Sequence, residues 1–188
     1  MRASLSFWTS TSATAADYPM AVASQRLEVL GWDRSSRRIY VVEHADGRPT
    51  LFVIATSGEH AGALLPLSGD EARMATLRRE LSPMLPVPAR GWELTTRVVQ
   101  RRGLRLASMG TPVRKFALGL SVSQRVGGVP VASGRTTVTA YLRPRAVIER
   151  VWLVPCENLA VAVVTYCGVP AGVGFDKQTA ILATPALH

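Results

Sequence analysis

Two cysteines and 6% aromatic residues in 188 positions are small allotments, and no stretch approaches the ~20 apolar residues of a membrane-spanning helix. Each scarcity excludes something. Cys156 and Cys167 flank the apolar run from Leu159 to Tyr166, which reads as one buried strand. Eleven extended residues span on the order of 36 Å, whereas bridged cysteines hold their Cα atoms within about 7 Å, so an intrachain disulfide is excluded and the pair reads as two small buried hydrophobes. The same run is cut short by Glu157-Asn158 before it and Gly168 after it. Near the start, the patch Leu5-Ser6-Phe7-Trp8 falls short of the ~7–15-residue apolar core of a secretory signal, which leaves residues 1–17 as a strand or a loose N-terminal arm and the chain as soluble and cytoplasmic.

Acidic residues are missing from one region in particular. Between Arg90 and Arg150 twelve basic residues stand against Glu93 and Glu149 alone, a net of +10, while the rest of the chain, ten basic against eleven acidic, is close to neutral at −1. Such an excess attracts phosphate backbones or acidic surfaces and carries no information about fold.

With 47% hydrophobic and 19% charged residues, the composition belongs to a globular chain. Its length suits one domain, residues 1–188, that buries roughly 70% of its unfolded surface. The segment from Arg37 to Thr56 organises the rest. Two runs rich in β-branched and aromatic residues flank Asp46-Gly47, a dipeptide that tolerates the positive φ angles of a type I′ turn, so the segment reads as an antiparallel hairpin. That turn would set Val41 opposite Phe52 and Ile39 opposite Ile54 on one side, with Tyr40 and Val42 meeting Val53 and Leu51 on the other. Both faces are apolar, which predicts cover on both sides.

The alternation of Arg26, Leu27, Glu28 and Val29 predicts a strand joining the hairpin as a three-stranded meander, with a turn at Asp33 to Ser36. The pattern Leu30-Gly31-Trp32-Asp33, then Arg38-Ile39-Tyr40-Val41 and Asp46-Gly47, resembles one piece of a β-propeller blade. Without a second copy it implies no closed propeller. Ser68 with Glu71 has capping-box spacing, and Met74, Leu77 and Leu81 then mark one face of an amphipathic helix over about 70–81. Pro83, Pro86 and Pro88 make 82–91 a proline-rich connection without regular sheet bonds. Seven more strands are predicted: 93–100, 104–108, 115–124, 136–142, 146–154, 159–166 and 177–184. The expected fold is mainly β, an antiparallel sandwich or curled sheet with one principal helix.

No catalytic or cofactor motif stands out. Glu43, His44, Glu59 and His60 are the one set with metal-ligating chemistry, but Glu43 and His44 are neighbours on a strand and point to opposite faces. A Cys–His nucleophile would need His44 to meet Cys156 or Cys167. Gly168-Val169-Pro170-Ala171-Gly172-Val173-Gly174 lacks the Lys-Ser/Thr ending of a phosphate loop and leads into a strand, so it reads as a wide turn. The basic third is more informative. Arg97, Arg101, Arg102, Arg105, Arg114 and Lys115 surround a predicted hairpin tip at Arg102-Gly103, and Arg143 and Arg145 flank a turn at Pro144. These eight residues are the candidate contacts to an anion or a nucleic acid. Aromatic residues for base stacking there are Trp92, Phe116, Tyr141 and Trp152. The expectation is a non-catalytic binding or structural module that contacts another protein and uses no cofactor or metal. Nucleic-acid binding through residues 90–150, and a thiol or hydrolytic enzyme assembled from distant residues, are the alternatives.

Overall fold

A computed structural model describes residues 25–45, 48–104, 113–169 and 175–186. The expected arm at 1–17, the Asp46-Gly47 turn, most of the 104–108 strand and most of the glycine-rich 168–174 turn lie outside these residues. Four strands, β1 (Gln25–Asp33), β2 (Arg38–Ala45), β3 (Arg48–Ala55) and β4 (Leu64–Leu67), form an antiparallel meander in sequence order. One helix, α1 (Glu71–Glu80), follows. A seven-stranded antiparallel sheet takes the rest: β5 (Leu85–Val87), β6 (Trp92–Leu104), β7 (Val113–Val126), β8 (Val129–Tyr141), β9 (Ala146–Leu153), β10 (Ala160–Val169) and β11 (Phe175–Pro185), in the order β5-β9-β10-β11-β8-β7-β6. The chain is mainly β, a sandwich-like stack of two antiparallel sheets with a single helix among the described residues.

The hairpin register is the one the sequence predicts. Ile39 pairs with Ile54, Tyr40 with Val53, Val41 with Phe52 and Val42 with Leu51. Each face has its own cover. Ile39, Val41 and Ile54, with Val29 and Trp32, pack on Val161, Val163, Ala180 and Leu182 of the second sheet. On the reverse face Tyr40, Val42, Leu51 and Val53 pack on Met74 of the helix, with Leu77 and Leu81 alongside. β10 and β11 are covered twice as well, because Ala160, Ala162, Val164, Ile181 and Ala183 meet Phe116, Leu118, Leu120 and Val122 of β7. A strand buried on both faces needs no polar alternation, and β10 duly runs buried from Ala160 to Val164.

The seven-stranded sheet reaches this second cover by curling. β11 pairs with β8 only at Thr184–Ser133 and Pro185–Ala132, and from that narrow seam β8, β7 and β6 fold back over β9, β10 and β11. Gly134 makes the fold-back possible, since a Cβ there would lie 2.1 Å from the Leu182 carbonyl oxygen. Gln178 ties the layers together: its side-chain oxygen accepts from the Leu27 amide of β1 at 2.6 Å, and its amide nitrogen donates to Glu149.

Three expectations need correction. The helix is capped by Asp70 and not by Ser68: the Asp70 side chain accepts from the Arg73 amide at 2.8 Å, and the Ser68 carbonyl instead accepts from the Arg73 guanidinium. Leu64–Leu67, with Pro66, and Leu85–Val87, with Pro86, are both strands. Each pairs on one side only, β4 with β3 and β5 with β9, where the N–H that proline lacks is not needed. Finally, Arg102-Gly103 is no hairpin tip, because β6 runs straight through it, pairing Arg101 with Phe116, Arg102 with Lys115 and Gly103 with Arg114.

Candidate polyanion-binding surface

β6, β7 and β8 form a three-stranded layer whose inner face is fixed by alternation in β7. Phe116, Leu118, Leu120 and Val122 enter the core, so Lys115, Ala117, Gly119, Ser121 and Ser123 lie on the outer face. Residues directly opposite one another share a face. The outer face therefore also carries Arg102, Gln100, Arg97 and Thr95 from β6, and Tyr141, Thr139, Thr137 and Arg135 from β8. It is polar and largely exposed.

The candidate residues gather at one end of this layer. Arg101, Arg102, Arg114 and Lys115 occupy three consecutive rungs, spanning about 7–10 Å along the strands. Arg143 joins them just past β8, where the Leu142 amide donates to the Arg114 carbonyl oxygen at 2.9 Å. They do not share one face: Arg102 and Lys115 lie on the outer side, Arg101 and Arg114 on the opposite side. Arg97 is on the outer face farther along β6, Arg145 is exposed in the connection to β9, and Arg105 lies outside the described residues.

Among the described residues none of these cations forms an ion pair. The ion pairs lie elsewhere: Arg125 with Glu93 (3.1 Å) toward the other end of the layer, Arg37 with Glu157 (4.0 Å), and Glu28 with Arg78 and His44. Between the rungs sits a shallow cavity of about 220 Å³ lined by Gln100, Arg102, Lys115, Ala117 and Thr139. Ala117 leaves the floor open while longer side chains stand around it. Gln100, with its amide oxygen turned toward Arg102, accepts from the guanidinium Nε at 3.1 Å and Nη2 at 2.9 Å. Sequence reading missed Gln100, Ala117, Thr139 and Arg135, because only strand register brings them beside the cations.

The chain matches no protein-family model, no curated protein and no solved structure. Its chemistry is read from the residues alone.

Of the other candidate residues, His44 has a structural duty. His44 Nε2 hydrogen-bonds Glu28 at 2.8 Å, and Glu28 also accepts from Arg78 Nη2 at 2.9 Å, which ties α1 to β1 and β2. Burial alone would push the Glu28 carboxyl up, but hydrogen bonds from Arg78 and His44 outweigh it and hold the group below its ordinary value. The reading of the two cysteines as buried hydrophobes needs correction: Cys156 is exposed in the turn before β10 and Cys167, near the far end of that strand, is only partly buried, and the two form no disulfide. Glu59 and His60 are exposed on the loop before β4. Among the described residues no three of His, Cys, Asp and Glu come together. No described helix is long and apolar enough to cross a membrane.

Proposed function

We propose that this protein is a non-catalytic binding module whose basic end takes a polyanion, with a nucleic-acid duplex as the partner. The observation that carries the reading is the set Arg101, Arg102, Arg114, Lys115 and Arg143, close together at one end of a sheet and without an acidic partner among the described residues. Cations on both faces of the sheet end suit a duplex, whose phosphates line both sides of a groove, better than they suit a flat surface. A duplex is favoured over single strands because Trp92 and Phe116 are buried and Trp152 packs against the core, which leaves Tyr141 alone beside the cations to stack on a base.

The test is binding of a random duplex at two salt concentrations. Five neutralised phosphates predict an affinity drop of roughly 500-fold between about 50 and 200 mM salt. Substituting Arg101 and Arg102 by Glu then weakens binding and makes the salt dependence shallower. No binding at the lower salt refutes the reading and leaves an acidic protein surface as the partner for the same cations.

A further inference from the structure

Arg102 and Lys115 stand directly opposite one another on the same face. Like charges placed so are unfavourable in a sheet, and neither has an acidic partner among the described residues. A local conflict of this kind, left without compensation within the fold, marks a place where the missing charge comes from outside.

The cavity beside them is matched to such a charge. Arg102 presents five N–H donors, of which Gln100 engages two, and Lys115 presents three more. Thr139 adds a hydroxyl and Gln100 the amide NH₂. Against these donors, the side-chain acceptors are the Gln100 oxygen, already engaged by Arg102, and the Thr139 hydroxyl. A donor-rich, acceptor-poor lining with two cations complements an anion with several acceptor oxygens. Gln100 also holds the guanidinium fork in place beside the cavity, which lowers the entropy lost when a ligand binds.

We infer that the cavity bounded by Gln100, Arg102, Lys115, Ala117 and Thr139 is a seat for one phosphate group. The inference deepens the polyanion reading and rests on it only for the source of the phosphate, which is either a strand terminus or a backbone diester.

Inorganic phosphate, titrated into the ¹⁵N-labelled full chain at constant ionic strength, is the probe. Saturable shifts confined to the amides around residues 100, 102, 115, 117 and 139 are expected, with a dissociation constant in the millimolar range and saturation by about 50 mM. Acetate at the same ionic strength should leave them unmoved. Ala117→Phe fills the floor from the outer face while keeping every charge, so it should abolish the phosphate shifts, and whatever duplex binding remains should keep its salt dependence. Arg102→Gln should weaken phosphate at least tenfold, and it serves as the second variant should Ala117→Phe not fold. Absence of saturable shifts, equal shifts with acetate, or unchanged phosphate binding in either folded variant overturns the seat, whatever the duplex does. Loss of duplex binding with the phosphate shifts intact overturns only the duplex reading. Two further arms separate the sources, and both support the seat. A duplex with 5′-phosphates that outbinds its 5′-hydroxyl twin only when Ala117 is present assigns it to strand termini; equal affinities, reduced alike by Ala117→Phe, assign it to backbone diesters.

Discussion

Replacing Leu51 by Ala probes whether the central hairpin is covered on both sides. Leu51 is 1% exposed and lies on the helix-facing side, among Tyr40, Val42, Val53 and Met74. Truncation removes three carbons, worth about 0.8 kcal/mol each in transfer, or ~2.4 kcal/mol. A cavity penalty follows to the extent that the site cannot collapse. Collapse is hindered here, because the loop before α1 already closes over the site so tightly that a Cβ on Gly69 would lie 3.0 Å from Leu51 Cδ2. The expected loss is therefore ~3–4 kcal/mol, above the transfer cost alone and in the middle of the range for buried Leu→Ala changes. With a urea slope near 2 kcal/mol per molar, the unfolding midpoint falls by about 1.5–2 M. Urea denaturation followed by circular dichroism and by tryptophan fluorescence measures it, with buried Trp32 reporting on the opposite side of the same sheet. A midpoint shift below about 0.3 M, the scale of a surface substitution, would refute the two-sided cover.

Two other perturbations test separate joints. Gly134→Ala places a methyl group 2.1 Å from the Leu182 carbonyl oxygen, so the seam between β8 and β11 must open. A loss of at least ~3 kcal/mol is expected in the same urea assay, and a neutral result would show that the seam yields freely. Arg78→Ala tests the tie from α1 to β1. Because the Glu28 pKa is depressed from 4.5 in the fold, the pair's stabilisation is present above that value and lost as pH falls through the folded one. The variant should be less stable than the parent near pH 7, with the gap closing as pH falls below 4.5; a gap that persists at low pH would refute the electrostatic role.

What could be read from residues alone was local. The hairpin register followed from two runs meeting at a two-residue connection, since Ala45 pairs with Arg48 across it. The helix followed from Met74, Leu77 and Leu81, and only its cap moved, because an Asp-x-x spacing two positions later competed with the Ser-x-x-Glu spacing. Edge strands were hidden by proline, which marks a connection in sequence but is tolerated at a sheet edge, as Pro66 and Pro86 illustrate. The basic cluster was half legible. Composition located it, whereas Gly103 suggested a turn where the chain stays extended, so the assignment of arginines to faces was lost. Gln100, Ala117 and Thr139 carry no signal of their own, and their meeting depends on the β6–β7–β8 register.

The placement of β10 and β11 also constrains how the molecule can be made. These two strands are the shared floor for both the meander and the β6–β8 layer, yet they are synthesised after both. At about 5–20 residues per second, the 44 residues from Leu142 to Pro185 take roughly 2–9 s to synthesise. Throughout that interval Ile39, Val41 and Ile54 on one segment, and Phe116, Leu118 and Leu120 on the other, have no native surface to rest on. Nascent chains should therefore be met by chaperones at lengths where most of the strands already exist. A chain cut short before β10 and β11 would keep two open apolar sheets and a strong tendency to aggregate.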